Sequence, residues 1–429
     1  MRPTLALAVV LLAQGCIFRS VAEQQARLDS VCTIRGHVSA EASDAHPILV
    51  GLVDAARASG TGLIDHFVLE RAGEFAFFTS AGSYGLGAFQ SLDDDLQYDP
   101  GEPALAVDRA RPIQCEQGQT LSGIRLLIPR DGRLQTDVPI DLTTLEARST
   151  FEQERRTLGR MLARGQVTTL ADPRFAREKA ESGLWKPLDF ILELGAGVYF
   201  LQPYDPDRIP VLFVHGMVGT PRDFEVLIAK LDRTRFQPWV FHYPSGASLD
   251  TVVGALSQVY AGLRVEHEFS RMLVVAHSMG GLVSRAFLLQ QSTDIESGRI
   301  PLFVSLATPW LGQPSASAGV EHAPAVVRSW YAMAPNSAFQ RALFFQDPET
   351  MRVRRSLPKG TVHHLFFGFH REESWPGASG DSTIALVSQL RPEAQADALR
   401  LHGHDATHTG ILRSLAVSAE LNEVLSGVR

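Results

Sequence analysis

Hydrophobic and polar positions along the chain fall into three regimes. Over roughly 32–129, short β-branched or aromatic runs (32–38, 48–53, 63–69, 75–78, 84–89 and 124–128) alternate with Gly, Asp, Ser and Pro turns. That spacing predicts a β-sandwich and no helix. Between Asp131 and Arg208 the pattern turns helical: Leu145, Phe151, Leu158 and Leu162 recur among charged residues, and Pro173 and Pro187 interrupt the later part of the region. These features predict a helical connecting region over 131–208. From Ile209 onward, apolar runs at 211–214, 239–243, 272–275, 302–306 and 362–369 are separated by 3.6-periodic stretches, the first carrying Phe224, Leu227, Ile228 and Leu231 on one face. Alternation of this kind predicts a mostly parallel sheet with helices on both faces, whose active site lies at the carboxyl ends of the strands. The expected domains are therefore 1–15 (export signal), 16–130 (sandwich), 131–208 (connecting region) and 209–429 (catalytic).

The run at 272–275 breaks into Ala276-His277-Ser278-Met279-Gly280-Gly281, and a helical pattern begins at once. A serine at such a turn takes a strained conformation that only small neighbours tolerate, and its Oγ stands above the sheet edge at a helix N-terminus. Ser278 is the candidate nucleophile. The motif is GxSxG with Ala276 in place of the first glycine.

Two further motifs fall in order around it: His215-Gly216-Met217-Val218-Gly219-Thr220 after the first strand of the sheet, and Ala307-Thr308-Pro309-Trp310-Leu311-Gly312 after the strand that comes next after Ser278. Together the three resemble the α/β-hydrolase lipases and esterases, including bacterial lipases and the GPI inositol deacylase group. The resemblance implies an α/β-hydrolase fold with an oxyanion hole made by the backbone N–H groups of Met217 and Met279. It also implies the chain order Ser, acid, His. Asp381, in Gly380-Asp381-Ser382-Thr383, fits the acid-bearing loop, and His408, before Thr409-Gly410-Ile411-Leu412, fits the catalytic histidine better than His404. A serine hydroxyl needs such a base, and the base an acid to fix its tautomer. A metal reading of His402, His404, Asp405 and His408 matches no common zinc-hydrolase spacing and leaves Ser278 unexplained. No cofactor and no metal is required.

The N-terminal 1–15 stretch carries Arg2, an apolar run at 5–12 and Ala13-Gln14-Gly15 before Cys16. It resembles a bacterial lipoprotein signal, cleaved before Cys16, which would then carry lipid. Export with a membrane anchor is expected, at the outer membrane if the source is Gram-negative, with periplasmic or secreted placement as the alternative. Of the remaining cysteines, Cys32 and Cys115 are expected to pair in an oxidising compartment, buried thiols being the alternative. The Gly36, Gly73–Phe77 and Ser83–Phe89 motifs resemble the transthyretin-like or carboxypeptidase-regulatory-like sandwiches. With 429 residues, a net charge of −7 and a pI near 6.1, the chain has no basic footprint for nucleic acid.

Two segments keep alternative readings. Asp93, Asp94, Asp95, Asp99 and Glu102 offer oxygen ligands for calcium but match no EF-hand loop, and a solvated acidic turn accounts for them. The apolar residues of 313–345 suit either a cap over an acyl pocket or ordinary core. The expectation is a serine-dependent esterase or lipase acting on an ester or lipid substrate. Acyl transfer with the same triad, or a non-catalytic surface binding role, are the alternatives.

Overall fold

The computed structural model describes residues 18–428 apart from 43–45, 57–61, 135–139, 142–161, 292–297 and 371–378. The export signal, Cys16 and most of the expected helical run at 142–162 lie outside these residues. The chain divides into two compact units, one of 26–164 with 258–268 and the other of 1–25, 165–257 and 269–429.

The first unit holds β1 (Cys32–Ala40), β2 (Ile48–Asp54), β3 (Leu63–Leu69), β4 (Gly73–Thr79), β5 (Gly82–Gln90), β6 (Gln97–Tyr98), β7 (Ala104–Leu105), β8 (Ile113–Cys115), β9 (Thr120–Ile128) and β10 (Ile140–Asp141). One sheet has the order β4-β1-β9, and another runs β3-β2-β5-β7 with β8 paired to β5. Alternate residues of a strand point to one face, and here Ile34 and Val38 of β1 meet Ile48, Val50 and Leu52 of β2 in a common core with Phe75, Phe77 and Leu86. Cys32 and Cys115 form a disulfide in this core, with Cα atoms 6.1 Å apart.

The second unit is built on an eight-stranded sheet of β11 (Ala163–Val167), β12 (Gly197–Phe200), β13 (Ile209–Val214), β14 (Phe236–His242), β15 (Leu273–His277), β16 (Leu302–Leu306), β17 (Val362–Gly368) and β18 (Ala398–His404), in the order β11-β12-β14-β13-β15-β16-β17-β18. β12 pairs antiparallel with β14, and every pair from β14 to β18 is parallel. All residues of β14, β15 and β16 are buried. Since neighbours on a strand face opposite ways, both faces of the sheet are covered. The chain leaves β13 for β14 on one side and returns to β15 on the other, so the strand order reverses at β13, the switch point where ligands of such sheets bind.

Helices are α1 (residues 18–29), α2 (Arg177–Trp185), α3 (Pro187–Leu194), α4 (Glu225–Ala229), α5 (Leu249–His267), α6 (Met279–Gln290), α7 (Pro314–His322), α8 (Arg328–Met333), α9 (Ala338–Ala342), α10 (Leu386–Gln389), α11 (Pro392–Asp397) and α12 (Leu415–Ser426). Two boundaries differ from expectation. The connecting region contains α2 and α3 but also β11 and β12, which extend the sheet; four- and five-residue strands are too short to show a period. Residues 18–25, expected with the sandwich, group with the second unit because Val21 and Gln24 are buried there. β18 has no counterpart in the apolar pattern either, since its Arg400, His402 and His404 give no apolar run.

Candidate active site

The site forms where β13, β15 and β17 end. Val274 and Ala276 pair with Leu212 and Val214 of β13 on one side and with Phe303 and Ser305 of β16 on the other, which fixes the level at which β15 stops. The chain then turns through Ser278, with φ 54° and ψ −128°, into α6. A non-glycine residue in that region stores about 1–3 kcal/mol of strain and persists only where its surroundings over-determine it. Here they do. A Cβ on Gly280 would run into the carbonyls of Val214 and His215, and one on Gly216 would lie 2.8 Å from the Ser278 Cβ. Glycine at both positions lets the ends of β13 and β15 close on each other, and Ser278 is left only 5% exposed.

Ser278 Oγ lies 2.9 Å from His408 Nε2, and His408 Nδ1 lies 2.7 Å from Asp381 Oδ2. A carboxylate accepts, so Nδ1 carries the proton and the Nε2 lone pair faces the serine hydroxyl. Asp381 is fully buried, and its other oxygen accepts the N–H groups of Thr383 at 3.0 Å and Ile384 at 2.6 Å. The His408 N–H donates to the Asp381 carbonyl at 2.8 Å, so backbone and side chain both tie the two loops.

The loop after β13 is equally constrained. His215 is fully buried, which holds its imidazole down at about 4 and keeps it neutral. Its Nδ1–H donates to the Gly216 carbonyl at 2.9 Å, and the ring stacks on Tyr243 with centroids 4.3 Å apart. Tyr243 Oη donates to the His215 carbonyl at 2.6 Å. Val218, at φ 53°, donates its N–H to Ser245 Oγ at 3.1 Å, and Thr220 and Asp223 close a capping box at the next turn. His215 thus shapes the loop. Met217 lies between Gly216, packed on Ser278, and Val218; Met279 is the first residue of α6, where N–H groups have no partner in the helix ladder.

Some positioning side chains carry no mark in the sequence. His277 Nε2–H donates to the His408 carbonyl at 2.8 Å, and its burial drives its pKa well below the ordinary value. Gln389, fully buried, accepts the Gly368 N–H at 3.0 Å and donates to the carbonyls of Gly368 and Ile384 at 3.1 Å, which binds the end of β17 to the Asp381 loop. No sequence signal reveals such side-chain to backbone bonds, since their partners are fixed only by tertiary structure.

The other candidates are directed elsewhere. His402 Nδ1 meets Glu420 Oε1 at 2.6 Å, His404 lies 3.1 Å from the same carboxylate, and Asp405 pairs with His370. The four groups of the zinc alternative thus do not converge on one point. Asp93, Asp95 and Asp99 have oxygens within 4.8 Å of one another. The buried Glu102 carboxylate accepts from Leu92 and Asp99 and holds that loop with its own bonds. Within 313–345, Val327, Met333, Leu343 and Phe344 are core, while Tyr331 is 46% exposed.

A family model for lecithin:cholesterol acyltransferase matches residues 262–322, which include Ser278 and the 307–312 segment. Among solved structures, a lipase of Bacillus licheniformis in its mature form is similar at 13% identity, over 53% of this chain and 97% of that one, with a TM-score of 0.42. Lipase B of Aspergillus fumigatus aligns at 15% identity over 53% of this chain and 55% of its own, TM-score 0.40. The phospholipase PlaB of Legionella pneumophila aligns at 16% identity over 42% and 45%, TM-score 0.34. A search of curated proteins gave no match.

Proposed function

We propose that the chain is a serine hydrolase that cleaves carboxylic esters, those of lipids among them, through an acyl-enzyme on Ser278. The observation that carries the reading is the relay from Ser278 Oγ through His408 to the buried Asp381, at 2.9 and 2.7 Å. Ser278 attacks the acyl carbon while His408 takes its proton. Asp381 holds the Nδ1–H tautomer and stabilises the imidazolium that forms. The negative charge that develops on the carbonyl oxygen faces the N–H groups of Met217 and Met279; one such donor is worth roughly 3–4 kcal/mol of barrier. His408 returns the proton to the leaving alcohol, and water then releases the acyl group by the same path.

The match of 262–322 to the lecithin:cholesterol acyltransferase model favours a second reading, in which an alcohol replaces water in the last step. We also propose export, with Cys16 as a lipid anchor after loss of 1–15; among the described residues no helix is long and apolar enough to cross a membrane. The sandwich resemblance to transthyretin-like domains belongs to the same proposal, on the two-sheet core that Cys32 and Cys115 join.

Labelling with a fluorophosphonate tests the nucleophile: the wild-type chain takes up the probe and Ser278→Ala does not. Labelling that survives in Ser278→Ala overturns the assignment. Adding a long-chain alcohol to an ester assay separates the two readings by whether ester or free acid accumulates. Metabolic labelling with palmitate, lost in Cys16→Ser, tests the anchor.

A further inference from the structure

The catalytic unit includes eight residues from the far end of the chain. Helix α1 is described from residue 18, and Val21, fully buried, joins Leu184 of α2 and Val327 in one apolar cluster. Four partly buried residues pack against that cluster, Trp185, Met217, Ala325 and Trp330, the two tryptophans edge to face with centroids 6.1 Å apart. Met217 is the residue whose N–H faces the oxyanion in the proposed reaction. Its backbone neighbours are pinned, Gly216 on Ser278 and Val218 on Ser245 Oγ. The Met217 side chain has the cluster as its anchor.

One turn further along α1, Gln24 fixes the helix independently. It is 5% exposed, and its Oε1 accepts the N–H groups of Leu188 at 3.2 Å and Asp189 at 3.1 Å. These are the second and third residues of α3. The first, Pro187, has no N–H, and Lys186 before it makes no side-chain cap. The first turn of a helix leaves such donors unsatisfied, and an N-cap side chain ordinarily accepts from them. Gln24 does so from more than 160 residues away in sequence.

We propose that the two buried residues Val21 and Gln24 of α1 are positioning residues of the catalytic unit, which hold the oxyanion loop through the Met217 side chain. The inference rests on the hydrolase reading above. Gln24 locks α1 onto α3, α1 presents Val21 to the cluster, and the cluster fixes the rotation of the 216–218 backbone. A donor displaced by about 1 Å loses most of its effect on the transition state, and misplacements of that size cost up to about a hundredfold. The displaced donor faces charge that develops only in the transition state, so the loss is expected in kcat.

The test uses the full chain with p-nitrophenyl butyrate, with kcat expressed per Ser278 titrated by fluorophosphonate, so that misfolded protein drops out of the count. Val21→Ala and Gln24→Ala are expected to lower kcat per titrated site about tenfold with KM within twofold. Arg19→Ala, whose side chain is 83% exposed on the same helix, leaves both unchanged. Val21→Ala combined with Met217→Ala, which keeps the N–H, is expected to be no worse than the poorer single variant, because both act through one anchor. If Val21→Ala does not fold, Gln24→Ala removes only the capping bonds and carries the test. Unchanged kcat per titrated site in Gln24→Ala and Val21→Ala, or losses that multiply with Met217→Ala, overturn the inference while wild-type turnover leaves the hydrolase reading standing. A wild-type chain without ester turnover overturns both.

Discussion

His277 Nε2 donates to the backbone carbonyl of His408 at 2.8 Å, so the residue before the candidate nucleophile holds the loop of the candidate base. The two imidazoles lie with centroids 4.7 Å apart. His277→Phe keeps an aromatic ring, slightly larger than the imidazole, and removes the donor. It is expected to lower kcat about tenfold with little change in KM, and His277→Gln, which retains an N–H, to lose less. Steady-state ester hydrolysis checks this.

Asp381→Asn is expected to cost roughly ten-thousandfold in kcat while the fold survives. The carboxylate has two sets of partners. Oδ1 accepts from Thr383 and Ile384, and Oδ2 faces His408. An amide that keeps its oxygen toward the two backbone N–H groups presents its NH2 to His408 and forces the proton onto Nε2, where it blocks proton transfer from Ser278. Circular dichroism beside kcat measurements separates this from unfolding.

Stability is expected to fall as the pH drops below about 6.5. Burial lowers the pKa of His215 to about 4 and carries His242, His277 and His363 well below 6.5. Between the folded and unfolded values the unfolded chain binds more protons, so stability rises with pH across that window and is fully present above it. Each such proton contributes a slope of about 1.4 kcal/mol per pH unit. Urea midpoints measured from pH 4 to pH 8 are expected to climb and then level off near pH 7.

Cys32 and Cys115 close a loop of 83 residues in the first unit. The chain-entropy model assigns such a cross-link about 4.5 kcal/mol, and native disulfides typically deliver about 2–5. Cys32→Ser with Cys115→Ser is expected to destabilise that unit by about 2–4 kcal/mol in urea unfolding, as reduction does in the wild type.

Much of this architecture is legible in the chain because its determinants are local. Strands β13, β15 and β16 are short, mainly apolar runs, with Ser305 inside β16 and His277 closing β15, and the turns after them carry glycines that the close approach of backbones requires, as at Gly216 and Gly280. Ser278, Asp381 and His408 each stand in a turn or loop beyond a strand end. The features that are not legible depend on distant partners. β18 is a polar edge strand, β11 and β12 are too short to show a period, and Gln24, His277 and Gln389 act on backbone groups that only the folded chain brings near. The grouping of 18–25 with the second unit belongs to the same class, since one valine and one glutamine carry it.

The most direct test of catalysis by Ser278 is hydrolysis of p-nitrophenyl esters, from short to long acyl chains, by the wild type beside Ser278→Ala and His408→Ala. Turnover by the wild type is expected, with a loss of roughly ten-thousandfold or more in both variants at unchanged fold. Activity that persists in Ser278→Ala, or a folded wild type that cleaves no ester of any length, would contradict it.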